Sequence, residues 1–173
     1  MDYDVIIFRL IHICFGVFWA GSVIFMSLFL LPTVKAMGPE GGKFMQTLMQ
    51  TKKFLIWINI SAGLTIFAGL YLYDWRTDHF QLSMIANWEM RLFTIGSISA
   101  FIGWIVGNMM QKPAANKMAK IGKEIASSGK PPSEEQQKQI GALQSKLFLG
   151  ANITAWLIGI SVVTMSIARY VRF

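Results

Sequence analysis

Four long apolar stretches decide what this chain can become. They run over about 5–31, 54–73, 90–110 and 147–171. Each is near the roughly 20 residues a helix needs to cross the hydrocarbon core of a bilayer. In lipid every backbone N–H and C=O must find its partner inside the chain, and segments of this length achieve that as helices. The predicted fold is all-α and integral to the membrane, a four-transmembrane-helix bundle forming a single membrane domain over residues 1–173. With 54% hydrophobic and only 14% charged residues, the chain is a lipid-bilayer protein and not a soluble core.

The formal net charge of +7 does not point to nucleic acid, because the lysines cluster beside the spans. The first connection holds Lys35, Lys43, Lys52 and Lys53. The third holds Lys112, Lys117, Lys120, Lys123, Lys130, Lys138 and Lys146. In a four-span chain these two connections face one side, opposite Asp2, Asp4, Arg76, Asp78 and Glu89. Lysine and arginine excess marks the cytoplasmic face. Both termini are therefore expected outside and the basic connections inside. Asp2 and Asp4 stand where a secretory signal carries basic residues, and the first apolar run exceeds a signal's length, so that run is expected to be retained.

Within the connections, the 38–42 turn leads into an amphipathic stretch over 43–51 suited to the membrane surface. Pro32 is expected to end the first span, and Gln111, Lys112 and Pro113 to close the third. Residues 116–127 read as a lysine-bearing helix broken by Gly129, Pro131 and Pro132. Ser133 and Gln136 then have capping-box spacing, and Ile140, Leu143 and Leu147 carry an apolar face into the fourth span. This predicts a long basic cytoplasmic helical hairpin between spans 3 and 4, the alternative being a solvated connector. Small residues recurring every three or four residues (Gly96, Ala100, Gly103 and Gly107; Ala151, Ala155 and Gly159) suit close helix packing.

The chemistry concentrates in the first span. His12 lies inside it, and an ionisable residue at membrane depth is a functional-site candidate. Gly16 and Trp19 follow one and two turns later on the same helix face. A ring nitrogen, a gap and an aromatic plate together suit a flat ligand; the alternative is a histidine hydrogen-bonded within the bundle. His12 sits about 10 Å from its end of the span at the helical rise, a depth that also reaches Thr65, Ser97 or Ser99, Ser161 or Thr164, and Met165. Arg9, one turn nearer the end, and Arg91, opening the third span, can bind carboxylates through their planar forks. Their position fits the two propionates of a haem. One cysteine, Cys14, and two histidines leave no intrachain disulfide and few ligands for any metal site.

His12, Trp19, Ala20 and Gly21 on the first span, with Trp88 and Arg91 opening the third, resemble a group of small bacterial membrane proteins. The group includes the haem-containing protoporphyrinogen oxidase family, the membrane part of the copper-resistance D family and uncharacterised four-span relatives. The stretch from Pro32 to Tyr73, with Met37, Gly38, Pro39 and Glu40, is most similar to those relatives. In the oxidase family the first-span histidine ligates haem b and a basic residue, commonly lysine, accompanies it in the third span. The resemblance implies that His12 is the metal ligand of a haem b, with Arg91 in the lysine's place, in a protein of electron transfer or of porphyrinogen- or quinone-linked oxidation. Arginine there stays cationic and does not give up a proton. Two other readings stand beside it. One is a non-catalytic subunit or anchor of a larger membrane complex, with other membrane subunits or a second copy as partner. The other is copper or small-solute transport using His12, Cys14 and methionines, since copper(I) prefers sulfur donors. Cys14 lies two residues from His12 and so on a different side of the helix.

Overall fold

The computed structural model describes residues 2–171. Those residues form six helices and no strand: α1 (Tyr3–Ala36), α2 (Pro39–Gln46), α3 (Phe54–Arg76), α4 (Leu82–Ile85), α5 (Trp88–Ser128) and α6 (Glu134–Ile167). Four of them, α1, α3, α5 and α6, are long and apolar enough to cross a membrane. Their packing agrees with that role. Phe67 and Trp156, at 63% and 76% exposure, stand on the outside with Val17, Phe25, Phe101 and Val163. An apolar belt of this extent marks a surface built to be covered, as by lipid around a membrane-spanning bundle.

Two prolines expected to stop helices do not. α1 runs past Pro32 to Ala36, and α5 runs past Pro113 to Ser128. Each proline is preceded by a widened π-turn, Met26–Leu30 in α1 and Gly107–Gln111 in α5. There the N–H of Leu31 reaches back to Met26 O, and that of Lys112 to Gly107 O. Proline lacks an N–H and its ring collides with the carbonyl four residues earlier. The wide turn moves that carbonyl aside, so the helix continues instead of ending. The fourth helix also starts earlier than its apolar run, at Glu134, and ends at Ile167. Ser133 caps it: its Oγ accepts from Gln136 N (3.2 Å), and Gln136 Oε1 accepts from Ser133 N (3.0 Å). Gly129, at φ +63°, ends α5.

The helices alternate in direction. α1 packs along α3, α5 along α6, and α1 against α6 joins the two pairs. Trp19, Val23, Ala62 and Ile158 form the buried centre, with Ala100, Trp104 and Ala155 around it. Polar side chains tie the lysine-bearing end. Ser27 Oγ donates to Asn152 Oδ1 (2.6 Å), and Gln111 Nε2 donates to Thr154 Oγ1 (2.9 Å). Both donors come from the two π-turns. Asn59 and Asn108 instead turn back to their own helices, donating to Leu55 O and Trp104 O. α2 folds against the end of α1, where a side chain on Gly41 would strike the Val34 carbonyl at 2.2 Å. On its surface Lys43 Nζ lies 2.9 Å from Glu40 Oε1, and that hydrogen bond holds the ammonium pKa above the ordinary lysine value.

The small-residue stripe of α5 is not uniform. A Cβ on Gly96 would lie 2.8 Å from both Met165 Cγ and Thr164 Oγ1, whereas one on Gly103 would meet nothing closer than 3.5 Å. Gly96→Ala is expected to cost about 1–3 kcal/mol through overpacking. Gly103→Ala should be neutral or stabilising by about 0.4–1 kcal/mol, since alanine fits there and restricts the unfolded chain. Thermal unfolding of both variants in detergent checks the contrast; equal losses would show that the α5–α6 interface is not as close at Gly96 as described.

Candidate functional site

Toward the end of the bundle that carries Tyr3, Arg76, Trp88 and Ile167, the helices part around a cavity of about 400 Å³. Its wall combines Arg9 and His12 from α1, Gly69, Tyr73 and Arg76 from α3, Phe93 and Ser97 from α5, and Met165 and Arg169 from α6 and its end. Every membrane-crossing helix or its end contributes, so the cavity is a product of the whole bundle.

The placement of His12 is the most determined feature of this wall. Its Nδ1 lies 2.8 Å from the backbone carbonyl of Thr65 on α3. A carbonyl only accepts, so the hydrogen sits on Nδ1 and the lone pair on Nε2. Nε2 itself has no hydrogen-bond partner among the described residues. The Thr65 carbonyl is reachable because residue 69 is glycine. A Cβ there would lie 2.9 Å from His12 Cε1 and 3.0 Å from Nδ1. Glycine thus lets the imidazole lie directly on the α3 backbone, where the carbonyl's second lone pair is available. The Thr65 hydroxyl is spent locally, donating to Ser61 O at 2.7 Å.

The depth estimate from sequence is matched in part. Thr65 holds His12, while Ser97 and Met165 line the cavity. Met165 rests on Gly96, and Ser161 Oγ lies 3.8 Å from its Sδ. Gly16 and Trp19 share the azimuth of His12 yet do not line the cavity. Gly16 faces Thr65, whose Cγ2 would be 3.4 Å from an added Cβ. Trp19 is 4% exposed and packs in the buried centre. The bundle is open at the level of His12 and closed two turns deeper, so one helix face serves two different surroundings.

The arginines are also redistributed. Arg9 lines the cavity. Arg91 does not; its guanidinium lies 5.1 Å from the centre of the Trp88 ring. Arg76 and Arg169 line the cavity instead. Arg76 pairs with Glu89 and lies 6.0 Å from the Phe93 ring centre. Arg9 and Arg169 form no ion pair or hydrogen bond among the described residues. Among the described residues the site therefore presents two unpaired guanidinium groups and one paired one beside an apolar chamber. Arg76 and Arg169 could not be assigned from sequence, because each looks like an ordinary helix-end anchor.

Around the cavity mouth, α3 is fastened to both neighbours. Tyr71 donates to Asp4 and stacks on Phe8 with ring centres 3.9 Å apart, tying α3 to α1. Tyr73 Oη and Thr94 Oγ1, 2.6 Å apart, tie α3 to α5. Cys14 is exposed, and no group of three or more His, Cys, Asp or Glu gathers among the described residues. Chemically, the arrangement offers one oriented imidazole lone pair, a thioether, and cations placed for acid groups. Compared with known proteins, the chain matches no family model, no curated protein and no solved structure.

Proposed function

We propose that this chain is a haem b-binding membrane protein of electron transfer or of porphyrinogen- or quinone-linked oxidation, with His12 Nε2 as the iron ligand. The observation that carries this reading is the tautomer of His12. A histidine that ligates metal characteristically donates its other ring N–H to a carbonyl or carboxylate, which fixes the ring and raises its basicity. Thr65 O performs that task, and the freed nitrogen belongs to a residue on the wall of a 400 Å³ cavity. The cavity is of the size that binds small organic molecules and cofactors.

The rest of the wall fits the same group. Arg9 and Arg169, unpaired among the described residues, would hold two propionates through their planar forks. Phe93, Leu72 and Ile13 supply apolar walls that exclude water. Met165 brings a soft sulfur donor to the same cavity. When bound, haem b supplies a one-electron iron couple whose potential depends on the axial ligand and the polarity around it. The bundle's orientation in this reading keeps the cavity on the outer side and the lysines at the cytoplasm, as the charge bias of the connections favours.

The test is spectroscopic. Protein purified in detergent from haem-replete cells should carry about one haem per chain and show an intense visible band that shifts on dithionite addition. A colourless protein that also fails to take up added hemin overturns the proposal.

A further inference from the structure

The three arginines on the cavity wall are not equivalent, and the difference lies in one carboxylate. Arg76 is paired with Glu89, the second residue of α5, across the gap between α3 and α5. Arg9 and Arg169 have no such partner among the described residues. Of the other acids at this end, Asp4 is engaged with Tyr71, Asp74 with His79 and Asp78 with Gln81, while Asp2 is exposed and pairs with no arginine among the described residues. Among the described residues Glu89 is thus the only acid paired with a cavity arginine. Counting the described residues, the wall would carry three unpaired guanidinium groups without it and carries two with it.

We infer that Glu89 sets the anionic capacity of the cavity by neutralising Arg76, so that the site is matched to a ligand with two acid groups. The inference rests on the haem reading of the cavity and extends it to a residue that does not itself line the wall. Glu89 is a positioning residue here: it acts through Arg76. Arg76 is 40% exposed and Glu89 26% exposed at the side chain, so solvent screens the pair and the effects are moderate.

The experiment is a titration of detergent-purified protein, stripped of haem, with hemin and with hemin dimethyl ester, which lacks the two acid charges. Glu89→Gln should tighten hemin by about fivefold, the upper range for a partly exposed charge pair, and leave the ester unchanged. Arg76→Gln alone should weaken hemin by about fivefold, because it leaves Glu89 uncompensated, and adding Glu89→Gln to it should restore the affinity to within about twofold of wild type; Arg9→Gln and Arg169→Gln should each weaken hemin by about fivefold. Should Glu89→Gln alone not fold, the double variant measured against Arg76→Gln carries the comparison. Should hemin bind while Glu89→Gln leaves it unchanged or tightens the ester equally, the inference is overturned and the haem reading survives. Failure of Glu89→Gln to rescue Arg76→Gln would overturn it in the same way. A protein that binds no hemin at any concentration defeats both.

Discussion

His12→Ala should yield a folded, membrane-inserted protein that retains no haem. The substitution removes the imidazole that offers a free nitrogen to the cavity, and it removes nothing else from the wall. Outer partners of a ligating histidine are worth about 10–100-fold in metal affinity, so losing the ligand itself should cost at least about 100-fold. The fold should survive, because His12 is only partly buried and lies outside the packed centre of Trp19, Val23, Ala62 and Ile158. The measurement is the visible band per mole of protein, taken beside helicity and detergent stability. Loss of both pigment and helicity would make His12 a structural residue. Full pigment in the variant would place the iron elsewhere.

Gly69→Ala is the second large effect, and it reaches the site without touching any ligand. The added methyl would lie 2.9 Å from His12 Cε1 and 3.0 Å from Nδ1. The imidazole is rigid and cannot fold away as a long flexible side chain would. It must leave the α3 backbone, and the 2.8 Å bond to Thr65 O is lost with it. Haem affinity should fall by about 10–100-fold, and stability by about 1–3 kcal/mol from overpacking. Gly16→Ala is the internal control. Its Cβ would meet Thr65 Cγ2 at 3.4 Å, an ordinary contact, so haem content should stay at the wild-type level. Hemin titration of the two variants separates a glycine that seats the ring from one that merely lies near it. If Gly69→Ala binds hemin as tightly as wild type, the carbonyl contact does not orient the ligand.

What the sequence revealed and what it concealed follow from the range of the forces involved. The four spans were legible because length and hydropathy are properties of a contiguous segment, and lipid imposes helix on any such segment. The Ser133 cap was legible for a similar reason, since its partner Gln136 is three residues away. Pro32 and Pro113 misled because a proline stops a helix only when the turn before it keeps its ordinary pitch; the π-turns at 26–30 and 107–111 remove the clash. His12 stood out because an imidazole at membrane depth is costly without a task. Its surroundings did not. Helical periodicity placed Gly16 and Trp19 beside it, but periodicity describes one helix and says nothing of where the neighbours spread apart. Gly69, Arg76 and Arg169 reach the cavity through the register of α3 and α6 against α1. That register is set by contacts dozens of residues apart, such as Asp4 with Tyr71 and Ser27 with Asn152.

The claim on which the account depends is that a nitrogen of His12 binds iron, and pulsed electron paramagnetic resonance on protein carrying ¹⁵N-labelled histidine addresses it directly. The chain has two histidines, so His79→Gln leaves His12 as the sole source of label. In the haem-loaded ferric protein the account predicts hyperfine coupling between iron and labelled histidine nitrogen, retained in full in His79→Gln. A haem-loaded protein with no coupling to labelled histidine, or with coupling that persists after His12 is removed, would contradict it.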